Sequence, residues 1–139
     1  YFSSGANLQE LYLTPSMMDK KAWDDVAAGA RWARRFQDVL ADVHWVGGNP
    51  NQLEPYGYAA WSPRGCTLAL RNPDDRPRTI DLDASTVFEP VKGVPAVFPM
   101  KASYPDQRVK TLNLEQGKPV SLELQPFEVL VFDMRTNGH

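Results

Sequence analysis

The chain has 139 residues, with 15 Lys plus Arg against 17 Asp plus Glu and a formal charge of −2. A chain of this length buries about two thirds of the surface its unfolded form exposes, enough for one core. Neither sign of charge forms a run, which argues against nucleic acid or an anionic membrane as partner, and no apolar stretch approaches the ~20 residues of a spanning helix.

The sequence begins at Tyr1, and residues 1–7 have neither a secretory leader's composition nor a disordered tail's. The chain is therefore expected to be a section of a longer polypeptide. Leu8 to Leu13 is apolar enough for an interior strand or a short helical turn, and it stops at Thr14-Pro15 because proline disfavours helix for the residue before it. Asp19 then offers an N-cap, and Trp23, Val26, Ala27, Ala30, Ala33 and Leu40 recur at three- and four-residue spacing. That spacing predicts a helix over roughly 19–42. Asp24 and Asp25 near its start, and Arg31, Arg34 and Arg35 in its second half, match the sign of the helix dipole. A second apolar line, Trp32, Phe36, Val39 and Val43, broadens the buried face, so the helix is expected to pack against two partners with its tryptophans as core anchors.

Val46-Gly-Gly-Asn-Pro50 ends the helical region, since its glycines permit unusual backbone angles and its proline blocks further helix. The period then switches to two. Tyr56–Trp61 and Cys66–Arg71 alternate around Ser62-Pro-Arg-Gly65, read as a four-residue hairpin connection. Cys66 is the lone cysteine, which leaves the redox compartment open, and its place in an alternating run suits a small buried hydrophobe. Asn72-Pro-Asp-Asp-Arg-Pro77 is the strongest turn, with Asp74 and Asp75 expected at a tip where solvent keeps both ionised. Thr79–Asp83 alternates again and places Asp81 and Asp83 on a wet face. Pro90, Pro95 and Pro99 limit Val87–Tyr104 to edge strands and loops, because each removes a ladder donor. Arg108–Leu114 and Val120–Leu124 flank Glu115-Gln-Gly-Lys-Pro119 and lead into Pro126–Met134, a pattern that predicts a closing β-meander. The fold class expected is mainly β: an antiparallel β-sandwich of about seven or eight strands with one N-terminal α-helix packed on it.

Chemistry-bearing residues are sparse. The acid pairs at 24/25, 74/75 and 81/83 lack the convergence across a cleft that glycoside hydrolysis needs, so no catalytic residue is assigned. His44 follows the helix, where an imidazolium can bond the last carbonyls, and His139 is terminal. No second ligand is spaced for a metal, and no nucleophile elbow, P-loop or dinucleotide fingerprint occurs, so no metal or cofactor is expected. The one group with binding potential is aromatic: Trp45, Tyr56, Tyr58 and Trp61. Tyr56 and Tyr58 share a strand face. Such rings either stack on sugars or seal the helix against the sheet.

The strings His44-Trp-Val-Gly-Gly-Asn-Pro50, Glu54-Pro-Tyr-Gly-Tyr-Ala-Ala-Trp-Ser-Pro63 and Leu68-Ala-Leu-Arg-Asn-Pro73 resemble the C-terminal region of bacterial melibiase-like glycoside hydrolases related to α-galactosidases. Ser4–Leu11 and the helix around Trp23 and Trp32 resemble the end of the (β/α)8 barrel in such proteins, and Leu124–Phe132 is similar to the strands that close their β-sandwich. The resemblance implies that residues 1–43 are the tail of an upstream barrel and 44–136 a C-terminal sandwich. It implies a retaining hydrolase as parent, whose two catalytic aspartates lie upstream of this chain; the compartment stays open, a secreted or periplasmic parent being compatible. It names that barrel as partner and carries no catalytic role onto any acid here. The alternatives are a carbohydrate-binding module using the surface aromatics and a protein-interaction domain of a cell-surface protein.

Overall fold

Alternating apolar residues fold into eight strands in the computed structural model, which describes residues 1–6, 8–90 and 96–136. They are β1 (Val43–Gly47), β2 (Tyr56–Ser62), β3 (Gly65–Arg71), β4 (Arg78–Leu82), β5 (Val97–Ala102), β6 (Thr111–Glu115), β7 (Val120–Leu124) and β8 (Val129–Arg135). Two α-helices accompany them among the described residues, α1 (Lys20–Arg35) and the single turn α2 (Ala84–Val87). Pro95 and His139 lie outside the described residues. All pairings are antiparallel, in a six-stranded sheet of order β1-β2-β3-β8-β5-β6 facing a two-stranded sheet β4-β7. The molecule is a β-sandwich carrying one long helix.

The inner core lies between the sheets. Leu68, Leu70, Leu82, Phe98, Leu114, Leu124, Leu130 and Phe132 are all buried there, and α2 adds Ala84 and Val87. A second cluster covers the opposite face of the large sheet, where Trp32 of α1 and Phe36, Val39 and Leu40 beyond it lie on Ala60, Ala69 and Val131. Small alanines on β2 and β3 let these large side chains approach the sheet closely. Each such side chain, fully buried, contributes about 1.5–3 kcal/mol relative to exposure. Because both faces are covered at the centre, β3 is buried from Gly65 through Leu70 instead of alternating.

Asp19 caps α1 by accepting from the Ala22 N–H at 2.7 Å. Asp24 and Asp25 sit beyond the first turn, where they pair with Lys20 and Lys21; Arg34 and Arg35 occupy the last turn. The helix ends at Arg35, short of the expected 42. Phe36–Ala41 continues as turns that lay Phe36, Val39 and Leu40 on the sheet, and Val43 is already a strand residue opposite Ala60. Strand pairing with β2 replaces helix there. At the end of β1, Gly47 takes a φ of 88°, and a Cβ on it would stand 2.6 Å from the Pro55 carbonyl oxygen.

Other expectations are corrected. Leu8–Leu13 forms neither strand nor helix. The hairpin between β2 and β3 has a two-residue turn, Pro63-Arg64, since Ser62 and Gly65 already pair. β6 and β7 do not make a meander: β6 pairs with β5 in the large sheet and β7 with β4 in the small one. Pro99 lies in β5, an interior strand. Its placement is still governed by the missing donor. Ser103 donates to Val131 on β8, so alternation points the Pro99 nitrogen toward β8 as well, and the β5–β8 pairing spans only Lys101 and Ala102.

Candidate functional site

The four aromatics divide between the two faces of the large sheet. Trp45 pairs with Tyr58 across β1 and β2, and Tyr56, Tyr58 and Ala60 point to the helix-bearing face. Trp61, offset by one residue, points the other way and packs against the inner core. The structure therefore brings three of the four together. Trp45 and Tyr56 stack with centroids 4.8 Å apart and planes 3° apart, and Tyr58 meets Trp45 edge-on at 5.5 Å. The Trp45 indole N–H donates to the Gly48 carbonyl at 3.2 Å. Trp45 remains 46% exposed while Tyr56 and Tyr58 are half-buried.

A second exposed surface lies on α1 and the segment before it. Trp23 and Trp32 are nine residues apart, which at about 100° per residue puts them on opposite sides of the helix. Trp32 faces the sheet, so Trp23 faces away, and it is 45% exposed. Ala30, in line with Trp23, borders a hollow of about 540 Å³ that Phe2, Leu11 and Leu40 also line. The Phe2 ring reaches the helix at Gly29, where an added Cβ would stand 2.7 Å from it. Leu8, Leu11, Tyr12, Leu13 and Met17 are all exposed. Periodicity places Trp23 in the buried line of α1, and the structure exposes it; the hydrophobic pattern marks a face to be covered without saying by what.

Four carboxylates are held in the ionised form by their partners. Arg135 hydrogen bonds hold the Asp38 carboxyl well below the usual carboxylate range, with Arg64 helping against desolvation. Arg78 does the same for Asp74, Ser85 and the backbone at Ser85 and Gly117 for Asp83, and Arg108 for Glu128. A general acid at neutral pH needs a shift in the other direction. Asp74 corrects the turn reading: it is buried, not at a wet tip, and pairs with Arg78 beneath the fully buried Asn72. His44 does not reach the helix end; its Nε2–H donates to the Val87 carbonyl of α2. Burial pushes the Cys66 thiol up to about 12, which makes it inert. Among the described residues no three His, Cys, Asp or Glu gather as metal ligands.

No family model matches the chain, and no curated protein matches it. Solved structures do. A variant of MutB with glucose bound superimposes with a TM-score of 0.52 over 86% of this chain and 19% of its own, at 15% identity; MutB is a trehalulose synthase. A Bacillus halodurans chain provisionally assigned as an α-N-acetylgalactosaminidase matches with a TM-score of 0.49, 14% identity, and coverage of 68% of this chain and 21% of that one. The trehalose-6-phosphate hydrolase of Bacillus licheniformis gives 0.48, 12%, 83% and 18%. At these identities the likeness is one of fold alone, and the chain spans about a fifth of the length of each.

Proposed function

We propose that the chain is a non-catalytic C-terminal β-sandwich domain of a glycoside hydrolase resembling α-galactosidases. In this reading residues 1–43 complete an upstream (β/α)8 barrel, residues 44–136 support it, and the barrel carries the chemistry. The observation that carries the reading is the exposure of large apolar side chains before and on α1: Leu11, Tyr12, Met17 and Trp23 are all exposed, Trp23 on the side of the helix turned away from the sheet. Exposed apolar surface that gathers into a patch marks an interaction face. The sequence resemblance says what would cover it. The fold likeness to MutB, confined to a fifth of that chain, is in keeping with a module of a larger sugar-processing enzyme.

The test is a double substitution, Leu11→Lys with Trp23→Lys. The unaltered chain should bind an apolar dye and self-associate at high concentration; the variant should do neither and keep its melting temperature, because neither residue belongs to the sandwich core. Neither protein should hydrolyse aryl glycosides. A chain that is monodisperse and silent toward the dye, or one that turns over an aryl glycoside through its own aspartates, would overturn the reading.

A further inference from the structure

On the reading that a barrel covers the outer side of α1, we infer that the hollow between α1 and the segment before it receives from that barrel an apolar side chain borne next to a carboxylate. The hollow holds about 540 Å³, within the range of sites that enclose a small ligand. The wall formed by residues 1–5 is set in this chain alone. The Phe2 ring sits against Gly29, a buried position of α1, where an added Cβ would stand 2.7 Å from it. Gly5, at a φ of 72°, leaves no room for a Cβ either, which would stand 2.8 Å from Val43 Cγ2 and 3.2 Å from the Leu40 carbonyl oxygen. The Ser4 hydroxyl donates to the Tyr1 carbonyl at 2.9 Å, and the Tyr1 hydroxyl donates to the Glu10 carbonyl at 2.8 Å. A wall held this way needs little further ordering when its occupant arrives.

The lining fixes the chemistry of the occupant. It is apolar at Phe2, Leu11 and Leu40 and polar at Gln9, Arg34 and Gln37, and Arg34 is its one charged side chain among the described residues. Arg64, Arg78, Arg108 and Arg135 are each paired with a carboxylate, whereas the Arg34 guanidinium joins none of the ion pairs that the described residues make. Asp38, four residues on, is already held by Arg135 and Arg64. An unpaired planar fork of donors beside an apolar lining suits a carboxylate that arrives with an apolar group. An ion pair left in water contributes little, but one closed under a docked surface selects which surface docks. A lysine or arginine brought to the same place would face Arg34, so the hollow disfavours a basic partner surface.

The test is a titration of the chain, at a concentration where it is monomeric, with three probes that share one apolar body: 2-naphthoate, 2-naphthylmethanol and 2-naphthylmethylammonium. The backbone amide resonances of Ala30 and Ala33 report the hollow, and that of Leu68, in the inner core, reports the fold. Naphthoate should shift the first two saturably with a Kd on the order of 1 mM. The alcohol should bind about threefold more weakly or less, and the ammonium most weakly. Arg34→Gln should bring naphthoate down to the affinity of the alcohol and leave the alcohol unchanged, and added salt should narrow the gap in the unaltered chain. Equal affinity of naphthoate and the alcohol, or a preference that survives Arg34→Gln, would overturn the inference and leave the supporting role standing, since dye binding and self-association test that role separately. A hollow that takes none of the three probes would overturn it as well. Naphthoate binding tighter than about 10 μM would mark a small-molecule site instead of a docking contact.

Discussion

Trp32 and Asp133 are joined across 101 residues of sequence, the indole N–H donating to the carboxylate Oδ2 at 2.8 Å, and the Ser103 hydroxyl donates to the same oxygen at 2.6 Å. One carboxylate thus ties α1, β8 and the end of β5 at the edge of the helix–sheet cluster. Asp133→Ala leaves a buried indole donor without its acceptor and should lower unfolding free energy by about 1–3 kcal/mol in a urea titration. Asp133→Asn, which keeps an acceptor oxygen, should recover most of that loss. Equal stability of Asp133→Ala and the unaltered chain would show that the link is incidental.

Acid should loosen the same region. Asp38 accepts from Arg135 through two bonds at 3.0 and 2.9 Å and from Arg64 at 3.4 Å, and the Arg135 guanidinium lies 4.6 Å from the Phe36 ring centroid. The folded carboxyl is held below its unfolded value of about 4. Its stabilising contribution is therefore complete above about pH 4 and is lost as the pH falls toward the folded pKa, where the unfolded chain binds the proton more readily. Glu128, lowered by Arg108, acts in the same sense. The stability difference between the unaltered chain and Asp38→Asn should be constant from about pH 5 to 8 and should shrink below about pH 4. A difference that stays constant into strong acid would contradict this.

Asn72 is the polar hub beneath the β3–β4 turn. Its amide nitrogen donates to the carbonyls of Arg76 at 2.7 Å and Gln125 at 2.9 Å, and its Oδ1 accepts the Asp74 N–H at 3.0 Å. Asn72→Ala should cost on the order of 3 kcal/mol, by orphaning several buried groups at once. Asn72→Asp should cost at least as much at neutral pH, because a carboxylate would face two carbonyls without a proton to share. Thermal melts of the two variants decide it; an aspartate variant close to the unaltered chain would refute the account of this hub.

Much of this architecture is legible in the sequence where local chemistry determines it. Asp19 marks the start of α1, and two-residue alternation marks β2, β3, β4 and the strands after residue 108. The helix end was hidden because Phe36, Val39, Leu40 and Val43 keep a helical spacing after the helix has stopped, and glycine and proline appear only from Gly47 onward. Gly117 signals a turn between β6 and β7, but turn chemistry does not say whether the flanking strands pair or separate into two sheets. Asp74 looked exposed because a turn composition is blind to Asn72 drawing the turn inward. Among the aromatics, alternation grouped Tyr56 with Tyr58, and the same rule puts Trp61 on the opposite face.

The central claim is that the segment before α1 and the outer side of that helix belong to an interface with a barrel. Amide hydrogen exchange on the monomeric chain tests it most directly. Residues 8–13, which form neither strand nor helix, should exchange near the rate of an unfolded peptide while β3 and β8 remain protected. Protection of 8–13 comparable to that of β3 in a monomer would show that the segment already has its partners, and would contradict the account.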